Sequence, residues 1–285
     1  MMMTATSTPL FFFDPARLAE IANKHRRAYQ RAEPFPHAVI DDFLPEDVLL
    51  RVLEEFPKPE QADWVVYDNP AEKKLMGKDE TQWGEQTRLL LYQFNSSAVI
   101  NFLEALTGIE RLIPDPHFWG GGLHQIKRGG FLKVHADFNR HAKLNVDRRL
   151  NLLIYLNKDW KEEYGGHLEL WNRDLTKCVK KILPVFNRCV VFSTTDFSFH
   201  GHPDPVNCPE GQTRKSLALY YYTNGRPAEE LSGVHSTLFR PRTGEAFEGP
   251  GDEIVNEFDV RSFLLRLTPP VLVDARRYLK RKLGV

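Results

Sequence analysis

The sequence predicts a mainly β protein, a sandwich or jelly roll with a helical layer against one outer face. Three observations carry this reading. Between Gly121 and Thr223 the apolar residues fall into eight short β-rich runs. Gly, Pro, Asn or Asp separates most of them, as at Gly129-Gly130, Asn157-Lys158-Asp159 and Gly165-Gly166. Short strands with such punctuation mark two-layered or closed antiparallel folds. The chain before them has helical periodicity instead, and helices that precede a run of strands pack as a layer on the sheet.

Each element has its own local reason. Asp14-Pro15 followed by Leu18, Ile21 and Ala22 supplies an N-cap, a proline at the first helical position and an apolar face. The helix should run to about Ala32, where Pro34 and Pro36 stop it. His37 to Phe43 predicts a short strand. Val48, Leu49, Val52, Leu53 and Phe56 recur at helical spacing from Pro45 onward. Ser97 to Leu106 predicts another helix, with Ser97 as N-cap and Gly108 ending it. The eight strands are expected at 123–127, 131–137, 150–156, 167–171, 178–183, 189–193, 197–200 and 216–222. Beyond Gly225, residues 241–252 read as a loop, and 259–267 and 270–283 as helices. The chain then divides into a helical and strand support (1–118), a β core (119–226) and a C-terminal loop and helical extension (227–285), built as one integrated domain.

Composition excludes several classes. A chain of 285 residues with 42% hydrophobic and 27% charged residues can bury a substantial core, so wholesale disorder is excluded. Lys plus Arg and Asp plus Glu are both 38. The chain therefore lacks the basic excess of a nucleic-acid binder, and no nucleic-acid partner is expected. No apolar run reaches bilayer-spanning length. Cys178, Cys189 and Cys208 form no C-x-x-C pair and are too few for a disulfide framework. The apolar patch Leu10-Phe11-Phe12-Phe13 lacks a basic leader and is cut short by Asp14-Pro15, so no secretory signal is expected. A reducing, cytoplasmic setting is the expectation. The last helix carries Arg276, Arg277, Lys280, Arg281 and Lys282. It reads either as a solvated face complementing the helix dipole or as a contact to an anionic or membrane surface.

The chemistry is concentrated in Phe131-Leu132-Lys133-Val134-His135-Ala136-Asp137. Residues i and i+2 of a strand share a face, so His135 and Asp137 present an imidazole and a carboxylate side by side. His200 follows later, and antiparallel pairing can bring it beside them. Two histidines and one carboxylate on one face form the facial triad of non-haem Fe(II) oxygenases. His202 competes with His200. Ser198-Phe199-His200 reads as continuing a strand, whereas Pro203 fixes a turn at His202, which favours His200. On the strand near 150–156, Leu152 and Ile154 face one way and Asn151, Leu153 and Tyr155 the other. Arg214 and Ser216 again stand at i and i+2. A planar bidentate donor with a neighbouring hydroxyl suits a dicarboxylate. An arginine facing a barrel interior needs an anion to pair it. His124 reads either as an inward-pointing residue behind the site or at the substrate, or as a satisfied core histidine, the commoner case, and His167 is expected on a strand exterior. Tyr220, Tyr221 and Tyr222 should alternate between core and outer face, and Cys178 and Cys189 read as small buried hydrophobes.

These motifs resemble the 2-oxoglutarate and Fe(II)-dependent dioxygenases, in the prolyl-4-hydroxylase-like branch. The resemblance runs from Gly121 to Thr223 and rests on His135-x-Asp137, His200, Arg214-x-Ser216 and Tyr155-Leu156-Asn157-Lys158-Asp159-Trp160 followed by Gly165-Gly166. It implies a double-stranded β-helix, a jelly-roll or cupin-like barrel. It implies His135, Asp137 and His200 as iron ligands, and Arg214, with Tyr155 and Ser216, as the site for the distal carboxylate of 2-oxoglutarate. Asn151 falls where the family places a polar contact to this co-substrate. Fe(II), 2-oxoglutarate and O2, with ascorbate as reductant, would serve hydroxylation of an unactivated C–H bond with release of succinate and CO2. The family often has a tyrosine ten residues before the first ligand, where this chain has Gln125 beside His124. Collagen-type prolyl hydroxylases use a lysine where this chain has Arg214. The substrate class stays open among peptide, free amino acid and glycan, and Lys127, Arg128, Asn139, Arg140 and Arg226 are expected near the mouth. The rival readings are a cupin-like barrel that binds without turnover and an interaction module using the terminal helices. Neither explains the set His135, Asp137, His200 and Arg214.

Overall fold

The structure is a computed structural model that describes residues 10–227, 230 and 233–247. The helices expected at 259–267 and 270–283 lie outside the described residues. In chain order the elements are α1 (Pro15–Gln30), β1 (His37–Ile40), α2 (Glu46–Glu55), β2 (Val65–Asp68), β3 (Glu72–Gly77), α3 (Glu85–Phe94), α4 (Ser97–Thr107), β4 (Ile113–Pro114), β5 (Gly122–Ile126), β6 (Phe131–Ala136), β7 (Arg140–His141), β8 (Val146–Tyr155), β9 (Leu168–Trp171), β10 (Cys178–Ile182), β11 (Cys189–Ser193), β12 (His200–His202), β13 (Arg214–Thr223) and β14 (Leu238–Phe239). No helix among them is long and apolar enough to cross a membrane.

The strands form one antiparallel, curled sheet in the order β1-β11-β8-β13-β5-β3-β6-β12-β9-β10. Its two halves face each other as a double-stranded β-helix. Along the central strands the side chains alternate as a pleat requires. Leu150, Leu152 and Ile154 of β8, Cys189 and Val191 of β11, and Leu217, Leu219 and Tyr221 of β13 turn to the helices. Asn151 and Leu153 of β8, Phe192 of β11, and Arg214, Ser216, Ala218 and Tyr220 of β13 line the interior cavity. Both faces are covered, which is why the stretches Leu152–Tyr155 of β8 and Leu217–Tyr222 of β13 read as continuous apolar runs. It also corrects the expectation for the three tyrosines. They do alternate, but all three are buried, with the Tyr221 hydroxyl donating to Phe94 O at 3.1 Å under the helices.

The helical layer forms for the reasons its sequence suggests, with two exceptions. Asp14 caps α1 by accepting from Ala16 N at 2.9 Å. Leu18 and Ala22 of α1, Val48, Leu49 and Val52 of α2, and Val99, Phe102, Leu103 and Leu106 of α4 bury against the sheet. Each large apolar side chain so buried contributes roughly 1.5–3 kcal/mol. Gly108 ends α4 in the left-handed region at φ 78°. The N-cap of α4 is Ser96 rather than Ser97, and it makes no side-chain cap bond.

The second exception is α3, which local sequence does not announce. Its N-cap is Gly84, which offers no side-chain acceptor. The cap arrives from α2 instead. The Glu55 carboxylate accepts from Gln86 N at 3.1 Å and from Thr87 N at 3.0 Å, and Thr87 Oγ1 donates to it at 3.1 Å. A Cβ on Gly84 would lie within 2.5 Å of that carboxylate's side chain, so glycine is what admits the cap. Several strand bounds also shift. The strand expected at 197–200 is β12, which begins at His200 and runs to His202, so Pro203 follows a strand rather than a turn. The pairs β2–β3 and β4–β13 were not expected.

Removing this cap should loosen α3. Glu55→Ala is expected to destabilise the fold by about 1–2 kcal/mol, the range of a lost helix cap. Urea unfolding followed by circular dichroism checks this, and an unchanged midpoint contradicts the cap.

Candidate active site

The site lies inside the curled sheet, in a cavity of about 440 Å³. β6 and β12 pair so that His135 and His200 are direct partners across the ladder. Their rings are 4.4 Å apart between centroids. Asp137 follows β6 by one residue. Its carboxylate lies 3.6 Å from His135 Nε2 and 3.4 Å from His200 Nε2. One ligand atom from each of the three lies within 4.8 Å of the others, and they form the one group of this kind among the described residues. His202 is not part of it.

The tautomers suit metal binding. His135 Nδ1 lies 2.8 Å from Lys133 O and His200 Nδ1 lies 2.9 Å from Ser198 O. A carbonyl can only accept, so each Nδ1 carries the proton and each Nε2 turns a lone pair to the cluster, as outer partners of metal-bound histidines do. Burial, with the neighbouring His135, lowers the pKa of His200 to about 4, which keeps its ring neutral.

Asp137 is held by the opposite wall of the barrel. Asn151 Nδ2 donates to Oδ2 at 2.7 Å, and Arg148 Nη2 lies 3.1 Å from the same oxygen. Burial alone would raise the pKa of this carboxyl. The Arg148 charge, then His200 and His135, overcome that and hold it well below the usual carboxylate range. Arg148 is itself fixed by Asn151 Oδ1, at 3.0 Å from Nε and 2.7 Å from Nη2. Its guanidinium carbon lies 3.5 Å from the Tyr220 ring centroid and 4.4 Å from that of Phe138. Both ends of the Asn151 amide are thus committed to Asp137 and Arg148. Sequence reasoning missed Arg148. Plain alternation would put it on the opposite face from Asn151, three residues on, and the irregularity at Arg149, where Tyr221 faces Leu150 but Tyr222 faces Arg148, brings the two together.

Arg214 stands elsewhere on the cavity wall, 4% exposed. Its Nε donates to Gly166 O at 2.7 Å and its Nη2 to Tyr155 Oη at 3.3 Å. Burial lowers its pKa. No carboxylate pairs it among the described residues, so a charged fork with donors to spare faces the interior, and Ser216 lines the same wall. Gly166 explains the double glycine. Its φ is +68°, and a Cβ there would lie 2.9 Å from Arg214 Cδ and 3.3 Å from Nε. Two imidazoles and a carboxylate on one side and an unpaired guanidinium on the other fit an iron ion with a bound 2-oxo-dicarboxylate.

Several expectations need correction. Of the two readings of His124 the less common one holds: it lines the cavity, with Nε2 3.1 Å from Gly120 O, and burial lowers its pKa to about 3. Gln125, at the place of the family's tyrosine, turns away and binds Pro57 O and Thr213 Oγ1. None of Lys127, Arg128, Asn139, Arg140 and Arg226 lines this cavity. Arg128 donates to Cys208 O at 2.7 Å, Arg226 to Thr194 O at 2.7 Å, and Arg140 borders a neighbouring cavity. The cations that do line the cavity, besides Arg148 and Arg214, are Lys74 and Lys78. They come from β3 and the residue after it, which the sequence reading did not assign. His167 precedes β9 and pairs with Glu162 at 2.6 Å. Cys189 is buried, while Cys178 is only half-buried.

The comparisons with known proteins agree with this geometry. Residues 121–222 match the 2OG-Fe(II) oxygenase superfamily. A stretch of 79 residues is 29% identical to prolyl 3-hydroxylase OGFOD1 of Mus musculus; it covers 26% of this chain and 14% of that protein. The fold is similar to that of a prolyl hydroxylase from Trichoplax adhaerens, solved in complex with a hypoxia inducible factor oxygen degradation domain peptide. The two share 19% identity, with 73% of this chain and 91% of that chain covered, at a TM-score of 0.50. A Pseudomonas putida prolyl-4-hydroxylase aligns over 73% of this chain and all of its own, at 17% identity and a TM-score of 0.49. The segment 121–222 thus resembles the 2OG-Fe(II) oxygenase superfamily, and His135, Asp137, His200 and Arg214 all lie within it.

Proposed function

We propose that the protein hydroxylates an unactivated C–H bond of a prolyl residue in a peptide, with His135, Asp137 and His200 as the iron ligands. The single observation that carries this is the pairing, in one cavity, of that ligand group with the unpaired, buried Arg214. Iron, when bound with 2-oxoglutarate and O2, supplies the oxidation, in which one oxygen atom enters the substrate and the other enters succinate as CO2 leaves.

The residues of the chain bind and orient. Arg214 receives the distal carboxylate with its two-pronged donor, and Tyr155 and Gly166 O fix the direction of that fork. Three ligands leave room on the metal for co-substrate and oxygen. Arg148 and Asn151 keep Asp137 ionised and aimed. Phe138, Tyr220 and the half-exposed Trp119 line the cavity above this layer, and their flat apolar faces suit a pyrrolidine ring. The named substrates of the relatives, prolyl residues and a hypoxia-factor peptide, support the same class. The test is substrate-stimulated succinate release across proline-containing peptides, free amino acids and glycans, with mass spectrometry of the substrate. A gain of one oxygen on a prolyl peptide is expected. Oxidation of a free amino acid or glycan alone overturns the peptide assignment while leaving the chemistry.

The ligand assignment predicts that His135→Ala, Asp137→Ala and His200→Ala each lower Fe(II) affinity by orders of magnitude, because losing one facial ligand leaves a two-point site. Metal analysis after dialysis checks it, and full iron content in these variants contradicts it.

For Arg214, truncating one partner of a buried charge pair costs roughly 2–5 kcal/mol. Arg214→Ala should weaken 2-oxoglutarate binding by about 30-fold or more. Arg214→Lys should be intermediate, since it keeps the charge and loses the fork. Gly166→Ala should weaken it as well, by displacing the arginine. Anaerobic titration of the iron–2-oxoglutarate absorbance measures all three, and unchanged affinity in Arg214→Ala moves the anchor elsewhere.

A further inference from the structure

His202 is left without a function by everything above. It is 4% exposed, and neither ring nitrogen has a hydrogen-bond partner. It is the one histidine among the described residues whose two nitrogens are both buried and unpartnered. Buried polar groups are normally satisfied, and one that is not has lost its water for nothing in return. The ring is not misplaced by slack in the chain. His200 and His202 are i and i+2 on β12, so both point to the interior. Gly201 between them lies so close to β6 that a Cβ would fall 2.8 Å from Leu132 O and 2.9 Å from Lys133 O. The backbone at this point is pinned to its neighbour, and the ring is aimed into the cavity by design of the strand.

The surroundings say what it meets there. His202 lines the same cavity as Arg214, His135 and His200. Lys74 lines it too. Lys74 is already paired with Glu72 at 2.8 Å. The ring offers an N–H donor and shares the cavity with groups at both ends of the co-substrate's span, the guanidinium at one and an iron ligand at the other. An acceptor that arrives with the ligand would satisfy that donor.

We propose that His202 donates a hydrogen bond to the distal carboxylate of 2-oxoglutarate, beside Arg214. This rests on the co-substrate reading given under the proposed function. Arg214 supplies the charge, and His202 supplies a second, neutral donor that an acceptor-only carboxylate can satisfy. It is a binding and specificity residue for the co-substrate, and it has no part in holding iron.

The test uses Zn(II)-loaded full-length protein and calorimetry with two unreactive chelators. N-oxalylglycine has both a chelating end and a distal carboxylate, whereas oxalate has the chelating end alone. His202→Leu should weaken N-oxalylglycine by about 5- to 30-fold, the range of one lost buried hydrogen bond. Oxalate affinity and zinc content should stay within about twofold. His202→Gln, which keeps a donor, should recover much of the loss. Unchanged N-oxalylglycine affinity in His202→Leu overturns the proposal, and so does an equal loss for both chelators, which would place the effect on the metal or the fold. Arg214→Ala measured in parallel separates the two levels. If it weakens N-oxalylglycine while His202→Leu does not, only the His202 assignment falls. If neither variant weakens it, the distal anchor itself is misplaced.

Discussion

His200 stands opposite His135 across the β6–β12 ladder, and the rest of the site depends on that register. A slip of one residue along β12 would turn His200 out of the barrel and break the ligand group, because side chains alternate with every residue. β12 is only three residues long, so its own pairing is a weak guarantee. It is held from both sides, by β6 and by β9, where His200 faces Leu170. Gly201 lets it press against the β6 carbonyls. The neighbouring cluster of Tyr155, Leu168, Leu170, Ile182, Val190 and Phe192 closes that end of the barrel and backs the His200 ring, which meets Phe192 at 4.7 Å between centroids.

The two interior arginines show how the same charge takes different parts. Arg148 is buried, set against the rings of Phe138 and Tyr220, and paired with Asp137. Its charge is already answered, and its effect is to keep a metal-facing carboxylate ionised against the pull of burial. Arg214 is also buried and, among the described residues, has only a carbonyl and a phenol as hydrogen-bond partners. A buried cation left in that condition is costly to the folded state and favours any anion that fits. The barrel can hold both because the helical layer covers the outer face of β8, β11 and β13, which keeps these strands rigid and dry behind the site.

Much of this was legible in the sequence, and the residues that were not are instructive. His135, Asp137, His200 and Arg214 could be found because strand alternation and motif spacing are local properties. The helices α1, α2 and α4 carried their own apolar periodicity. α3 did not show itself, since its cap comes from Glu55, thirty residues earlier. β2 and β3 were missed because a charged, half-exposed strand such as Glu72–Gly77 becomes a strand by pairing with β5 and β6, not by its own pattern. Arg148 and His202 were passed over for a related reason. Their importance lies in what stands across the cavity, and only the curled sheet brings those groups together. His202 was weighed as an iron ligand by its neighbours in sequence, whereas the fold puts it on the wall of the same cavity as Arg214 and outside the ligand group.

The central claim is that one cavity holds a metal at His135, Asp137 and His200 and a carboxylate at Arg214. The most direct measurement is a crystal structure of the protein with Zn(II) and N-oxalylglycine. The account predicts a single anomalous peak about 2.0–2.2 Å from His135 Nε2, His200 Nε2 and an Asp137 oxygen. It also predicts the chelator's far carboxylate on the Arg214 fork. A metal bound away from these three residues, or a far carboxylate that leaves Arg214 unpaired, would contradict it.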